Sequence, residues 1–182
     1  MVWVMGFSLA MIPILMYPIL KKQNEVLAIG YVVFRGAIET VTYIAIGVCM
    51  LSFLNLSQNY VKTEVLNSSD YQNTGAIILR IRALFSTTTI LVFSLGGLIF
   101  YVSLFQSKLI PRWLSIWGFV AIVLHLATGL LILFGLQSET STSNTAMNFP
   151  IFLQEMVMAV WFIVKGFNAN EVNLLIEKQE ND

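Results

Sequence analysis

The sequence predicts an all-α integral membrane bundle of five transmembrane helices, and three observations carry that expectation. Of the 182 residues, 57% are hydrophobic and only 11% charged, whereas roughly a quarter of the residues of a soluble globular domain are charged. The apolar residues fall in long continuous blocks divided by short polar breaks, which a soluble protein with an unusually apolar core would not produce. The alternating pattern of a barrel strand is absent, so spanning segments must be helices, which bond their own backbone groups.

The elements follow in order. The first helix is expected over Met1 to Leu20. It lacks a basic start, contains Pro13 and Pro18 and ends beside Lys21 and Lys22, a pattern that favours a retained helix over a cleaved signal peptide. The second, Glu25 to Leu54, and the third, Ala76 to Phe105, are longer than a hydrocarbon core of roughly 30 Å requires, and must tilt or project. The fourth is expected over Arg112 to Gly135, with Pro111 suited to its first turn. The fifth is expected over Phe149 to Phe167, with Asn148 as its cap and Pro150 in its first turn. Ser138 to Asn148 reads as a solvated loop. Residues 1–168 then form one transmembrane domain, and residues 169–182 a short polar cytoplasmic tail in which Val172, Leu175 and Ile176 could make a membrane-surface turn.

Cations set the expected orientation. Lys21 and Lys22 occupy the first break, Lys108 and Arg112 the third, and Lys165 and Lys178 the C-terminal end, while Ser57 to Asn73 holds only Lys62 and Leu136 to Asn148 holds none. The positive-inside rule then puts the N-terminus outside and the C-terminus in the cytoplasm. Trp113, Trp117 and Tyr101 near one surface and Tyr60 and Tyr71 near the other fit interfacial belts. The sequons Asn55-Leu56-Ser57 and Asn67-Ser68-Ser69 would lie outside. The bilayer is the partner this composition requires; zero formal charge and scattered cations give no reason to expect nucleic acid.

The polar residues inside the apolar blocks are the candidate chemistry. Tyr31, Arg35, Glu39 and Tyr43 recur every four residues on the second helix, on one stripe that should face protein, with Gly36 and Thr40 beside it. A charge at the bilayer centre costs roughly 2.5 to 3.5 kcal/mol even on insertion scales, so such residues pair, face an interior or mark a site. Arg80 and Arg82 on the third helix and Glu155 on the fifth are expected nearby. Three cations and two carboxylates in one cavity would suit a small anionic or amphipathic ligand. The alternative is that the charges only fix helix register, with Arg80 and Arg82 snorkelling to the interface.

His125 is the sole histidine, a conceivable proton relay but more simply a hydrogen-bonded packing residue. One histidine and one cysteine, Cys49, make neither a histidine-rich metal site nor an intrachain disulfide, so no cofactor, metal or catalytic residue is assigned. The sequence holds no G-x-S-x-G, H-E-x-x-H, Walker or dinucleotide motif. No internal repeat supports an inverted-repeat transporter.

The runs MYPILKKQNEVLAIGYVVFRGAIE, LSQNYV, LIPRWLSIWG and LQEMVMAVWFIVKGFN, spread from Met16 to Asn168, resemble a bacterial multi-pass membrane family, the domain of unknown function four-three-eight-six. Arg35, Pro111, Arg112, Trp113, Trp117, Glu155 and Lys165 lie inside these runs. The resemblance implies a bacterial cytoplasmic membrane and, in a six-helix parent with one more N-terminal segment, an unchanged cytoplasmic C-terminus. It implies no activity. Three functions stay open: a binding or transport module at the Arg/Glu centre, a structural or accessory subunit, and, less favoured, a membrane enzyme using Glu39, Glu155 or His125 in proton transfer.

Overall fold

The computed structural model describes residues 2–62 and 68–181; Asn67, and with it the second sequon, lies outside the described residues. Those residues form helices and no strand: α1 (Val2–Leu20), α2 (Glu25–Tyr31), a π-helical segment (Val32–Ile38), α3 (Glu39–Lys62), α4 (Ser68–Ser107), α5 (Arg112–Leu133), α6 (Thr142–Val164) and α7 (Ala169–Asn181). α2, the π segment and α3 run on as one rod, so the described chain presents five helices long and apolar enough to cross a membrane.

Polar breaks are legible as caps and turns. Asn24 opens α2 by accepting the Leu27 N–H at 3.0 Å, and the chain leaves α4 and α6 through Lys108 (φ 54°) and Gly166 (φ 65°). Pro111, expected in the first turn of α5, is instead its N-cap, one residue earlier. α6 begins at Thr142 rather than Phe149, because Ser141 is the cap and accepts the Asn144 N–H at 3.1 Å. Pro150 therefore lies inside α6, and most of the expected loop at 138–148 is its first two turns. α3 and α4 likewise extend past their apolar blocks. At 1.5 Å per residue the continuous rod reaches roughly 55 Å and α4 roughly 60 Å, well beyond a hydrocarbon core. The tail is helical as α7.

α4 is the hub, packed on α2, the π segment, α3 and α5, while α6 packs on α5 and α1 on α3 and the π segment. The core concentrates toward the end where α1, α4 and α6 finish: Leu20, Tyr31, Leu104, Leu109, Ile110, Leu114 and Ile122 are all but inaccessible. Tyr101, expected at an interface, is buried there as well, because its ring packs over Gly118 of α5 and its hydroxyl bonds Gln154 of α6. Gln23 Nε2 donates to Gln106 Oε1 at 3.1 Å, tying the α1–α2 turn to the end of α4. Outward faces are apolar in every long helix, as at Val4, Val41, Ile77, Leu133 and Ile163, a distribution that suits lipid contact.

Candidate functional site

Arg35 lies in the π segment. In such a turn the N–H bonds the carbonyl five residues back, as the Glu39 N–H does to Phe34, and the added residue bulges the backbone; turns of this kind recur at functional sites. Gly96 of α4 makes room for the bulge, since a Cβ there would stand 3.0 Å from Arg35 Cγ and 3.3 Å from Arg35 N. Side-chain register is pinned a turn further on, where the Thr89 hydroxyl donates to Thr42 Oγ1 at 2.8 Å and that of Thr42 to the Glu39 carbonyl at 2.7 Å.

The Arg35 guanidinium is shared. Nη1 donates to both carboxylate oxygens of Glu39, at 3.1 and 3.0 Å, and Nη2 to Glu155 Oε1 at 3.1 Å. Its carbon stands 4.0 Å from the ring centroid of Phe93, a cation–π contact. The two carboxylates differ in setting: the side chain of Glu39 is 0% accessible and that of Glu155 32% accessible, and Glu155 Oε2 has no partner among the described residues. Glu39 is a buried counter-ion. Glu155 opens on a cavity.

That cavity, about 290 Å³, lies between α1 and α6. Leu9, Ile12 and Met16 form one wall, Met158, Ala159 and Phe162 the opposite one, and Phe93, Gly97 and Phe100 of α4 its floor, with Tyr31, Tyr101, Arg35 and Glu155 as its polar groups. Tyr31 stacks on Phe100 with centroids 4.6 Å apart, and the Tyr101 hydroxyl donates to Gln154 Oε1 at 2.7 Å. Gln154 in turn donates to the Leu114 carbonyl at 3.3 Å, so the Tyr101 ring is held from behind. Gly118 accommodates it; a Cβ at that position would collide with the ring. Arg35 and Glu155 each lie about ten residues, roughly 15 Å, from the basic end of their helices.

The expected stripe is half in the site. Tyr31 lines the cavity with Arg35, while Tyr43 lies against α1, where a Cβ on Gly6 would come within 3.3 Å of Tyr43 Cβ. Arg80 and Arg82 do not line the cavity and bond neither Glu39 nor Glu155. The Thr42–Thr89 register brings α4 to Arg35 at Gly96, which leaves Arg80 and Arg82 roughly 20 to 25 Å farther along the helix. The cavity is thus lined by one guanidinium and one carboxylate, with Glu39 buried beside Arg35, and not by a surplus of cations. His125 is also outside it. Its Nδ1 meets Asn148 Oδ1 at 2.7 Å, and because Asn148 Nδ2 donates to Asn144 Oδ1 at 2.7 Å, that Oδ1 accepts and Nδ1 carries the proton. The same ring meets Phe93 edge-on at 5.0 Å. Among the described residues no three histidines, cysteines or carboxylates gather as metal ligands.

Sequence reasoning passed over Phe93 and Phe100, placed Tyr101 at an interface, and gave Gln154, beside Glu155, no part in the site. The available signal was spacing: Phe93, Gly97 and Phe100 share one face of α4 with Gly96 beside them, a small-residue groove edged by aromatic rings. A family model described as a domain of unknown function, DUF4386, matches residues 1–166. No curated protein and no solved structure matches the chain.

Proposed function

We propose, from the premise that the chain belongs to the DUF4386 family, that it is a multi-pass membrane protein that holds a small amphipathic molecule between α1 and α6. The observation that carries this is the cavity itself: apolar walls around a single polar corner, where Glu155 keeps a carboxylate oxygen unbonded beside Arg35. Its volume, about 290 Å³, is at the small end of ligand sites, which begin near 300 Å³. A simple alkyl chain with one head group fits that chemistry, with its chain against Leu9, Ile12 and Phe162.

The charge count supports a head group that donates hydrogen bonds or carries positive charge. An anion would meet a guanidinium already bonded to two carboxylates, with Glu155 repelling it, whereas an ammonium would meet the free oxygen of Glu155 and the aromatic faces nearby. The test is binding of three probes of equal chain length, a primary alkylamine, an alcohol and a fatty acid, to the purified protein in detergent. The amine should bind tightest; preference for the fatty acid overturns the charge assignment, and no binding by any of the three overturns the site.

A second reading applies to part of the cluster. Glu39 is fully buried and bonded twice to Arg35, so this pair joins the π segment to α3 and serves packing, as a structural subunit would require. Orientation follows the cations: Lys21, Lys22, Lys108, Arg112 and Lys165 gather at one end of the bundle, which supports that end as cytoplasmic. The resemblance to a bacterial family supports a bacterial cytoplasmic membrane.

A further inference from the structure

A second cavity, about 490 Å³, lies at the basic end, between the turn that joins α4 to α5 and the one that joins α6 to α7. Lys108, Arg112 and Lys165 line it against one carboxylate, Glu171. All three cations are exposed, and none makes an ion pair among the described residues. The concavity is built by the backbone. The Asn168 N–H donates to the Leu109 carbonyl at 2.9 Å, and the positive φ angles of Lys108 and Gly166 turn both chain segments around the opening.

Its depth is marked by tryptophans. Trp161 lines the cavity and meets Trp113 edge-on at 6.4 Å, and Trp113 stacks on Trp117 at the same separation. Tryptophans at the end of apolar helices belong at head-group level. Deeper along the same helices, past Trp117 on α5 and before Trp161 on α6, Phe119, Val120, Met156 and Val160 are exposed, an apolar surface where acyl chains would lie. We propose that this cavity binds the phosphate head group of an anionic lipid, with Lys108, Arg112 and Lys165 as its ligands. Convergent cations supply the charge complement, and the arginine can present paired donors to phosphate oxygens. A basic pocket between helix ends on the cation-rich side is the setting in which such head groups are recognised. The site is separate from the α1–α6 cavity and does not depend on what that cavity holds.

The test is thermal unfolding of the full chain in detergent with added phosphatidylglycerol, phosphatidylcholine or free glycerol phosphate. Phosphatidylglycerol should raise the midpoint more than phosphatidylcholine does, and glycerol phosphate should leave it in place. The variant Lys108→Asn/Arg112→Gln/Lys165→Gln should bind phosphatidylglycerol on the order of a hundredfold more weakly, at about fivefold per cation. Asparagine is chosen at position 108 because it tolerates positive φ. Equal response to the two lipids, an equal shift from glycerol phosphate, or an undiminished response in the variant would overturn the assignment. Should the triple variant fail to fold, Glu171→Gln decides: loss of the opposing carboxylate should tighten phosphatidylglycerol binding, and unchanged or weaker binding overturns the proposal.

Discussion

Arg35 Nη2 meets Glu155 Oε1 at 3.1 Å, joining a π turn to a helix 120 residues later in the sequence. The same guanidinium holds Glu39, whose side chain has no accessible surface. Arg35→Met leaves that carboxylate buried and unpaired, which should cost about 3 to 5 kcal/mol and appear as lost accumulation or a lowered unfolding midpoint. Arg35→Met/Glu39→Leu should recover most of the loss. If the double variant is no better than the single one, Glu39 is not the group that Arg35 neutralises.

Glu155→Gln separates binding from packing. The amide can still accept from Arg35, so stability should change by less than about 1 kcal/mol, while affinity for the alkylamine falls roughly tenfold or more as a charge-assisted bond is lost. The readout is an alkylamine titration beside a melting curve. Equal loss in both would make Glu155 a packing residue.

His125 should behave as a structural group. It holds the amide chain of Asn148 and Asn144 at the start of α6 and does not line the cavity. His125→Leu should lower stability by about 1 kcal/mol through the unbonded Asn148 and leave alkylamine affinity unchanged. A change in affinity alone would return it to the role of a proton relay.

Two glycine substitutions should have opposite signs. Gly118→Ala drives a methyl group into the Tyr101 ring, which its bond to Gln154 keeps from yielding, and should cost about 1 to 3 kcal/mol. Gly75→Ala meets its nearest neighbour, Phe53, at an ordinary 3.4 Å and should gain up to about 1 kcal/mol in helix propensity. Comparison of the two melting temperatures checks the packing of α4 on α5 and on α3.

Thr140→Cys in a Cys49→Ala background tests orientation. Thr140 is exposed just before the cap of α6, whereas Ser141 is the cap itself and should be left in place. A membrane-impermeant thiol reagent should label it in intact cells. Labelling only after lysis would reverse the assignment of sides.

The hydrophobic blocks were legible because apolar length is what a membrane-crossing helix requires, and Arg112 and Glu25 were read as helix starts at the positions they occupy. Block ends were less so: hydropathy stops at Leu54 and resumes at Ala76, but nothing in the chemistry of Asn59 or Thr74 ends a helix, and α3 and α4 continue through them. At α6, Ser141 was available as a cap as readily as Asn148, and Pro150 drew the start inward. The pairing of Arg35 with Glu39 follows from helical spacing. Glu155 against Arg82 or Arg35 does not, because it depends on the register of α4, which a single pair of threonine hydroxyls helps to set. Nothing local distinguishes the π turn from an α turn.

That turn has a consequence for how the chain tolerates change. A single extra residue is accommodated between Tyr31 and Glu39, and each residue of an α-helix advances roughly 100° about the axis. Closing the same residues into ordinary α-helix would swing α3 about a quarter turn relative to α2, carrying Glu39 and Thr42 away from α4 together, whereas losing one residue from 32–38 would let the segment become α-helical with its two ends facing roughly as they do. The extra residue lets Arg35 bulge toward α4 without turning Glu39 away from it.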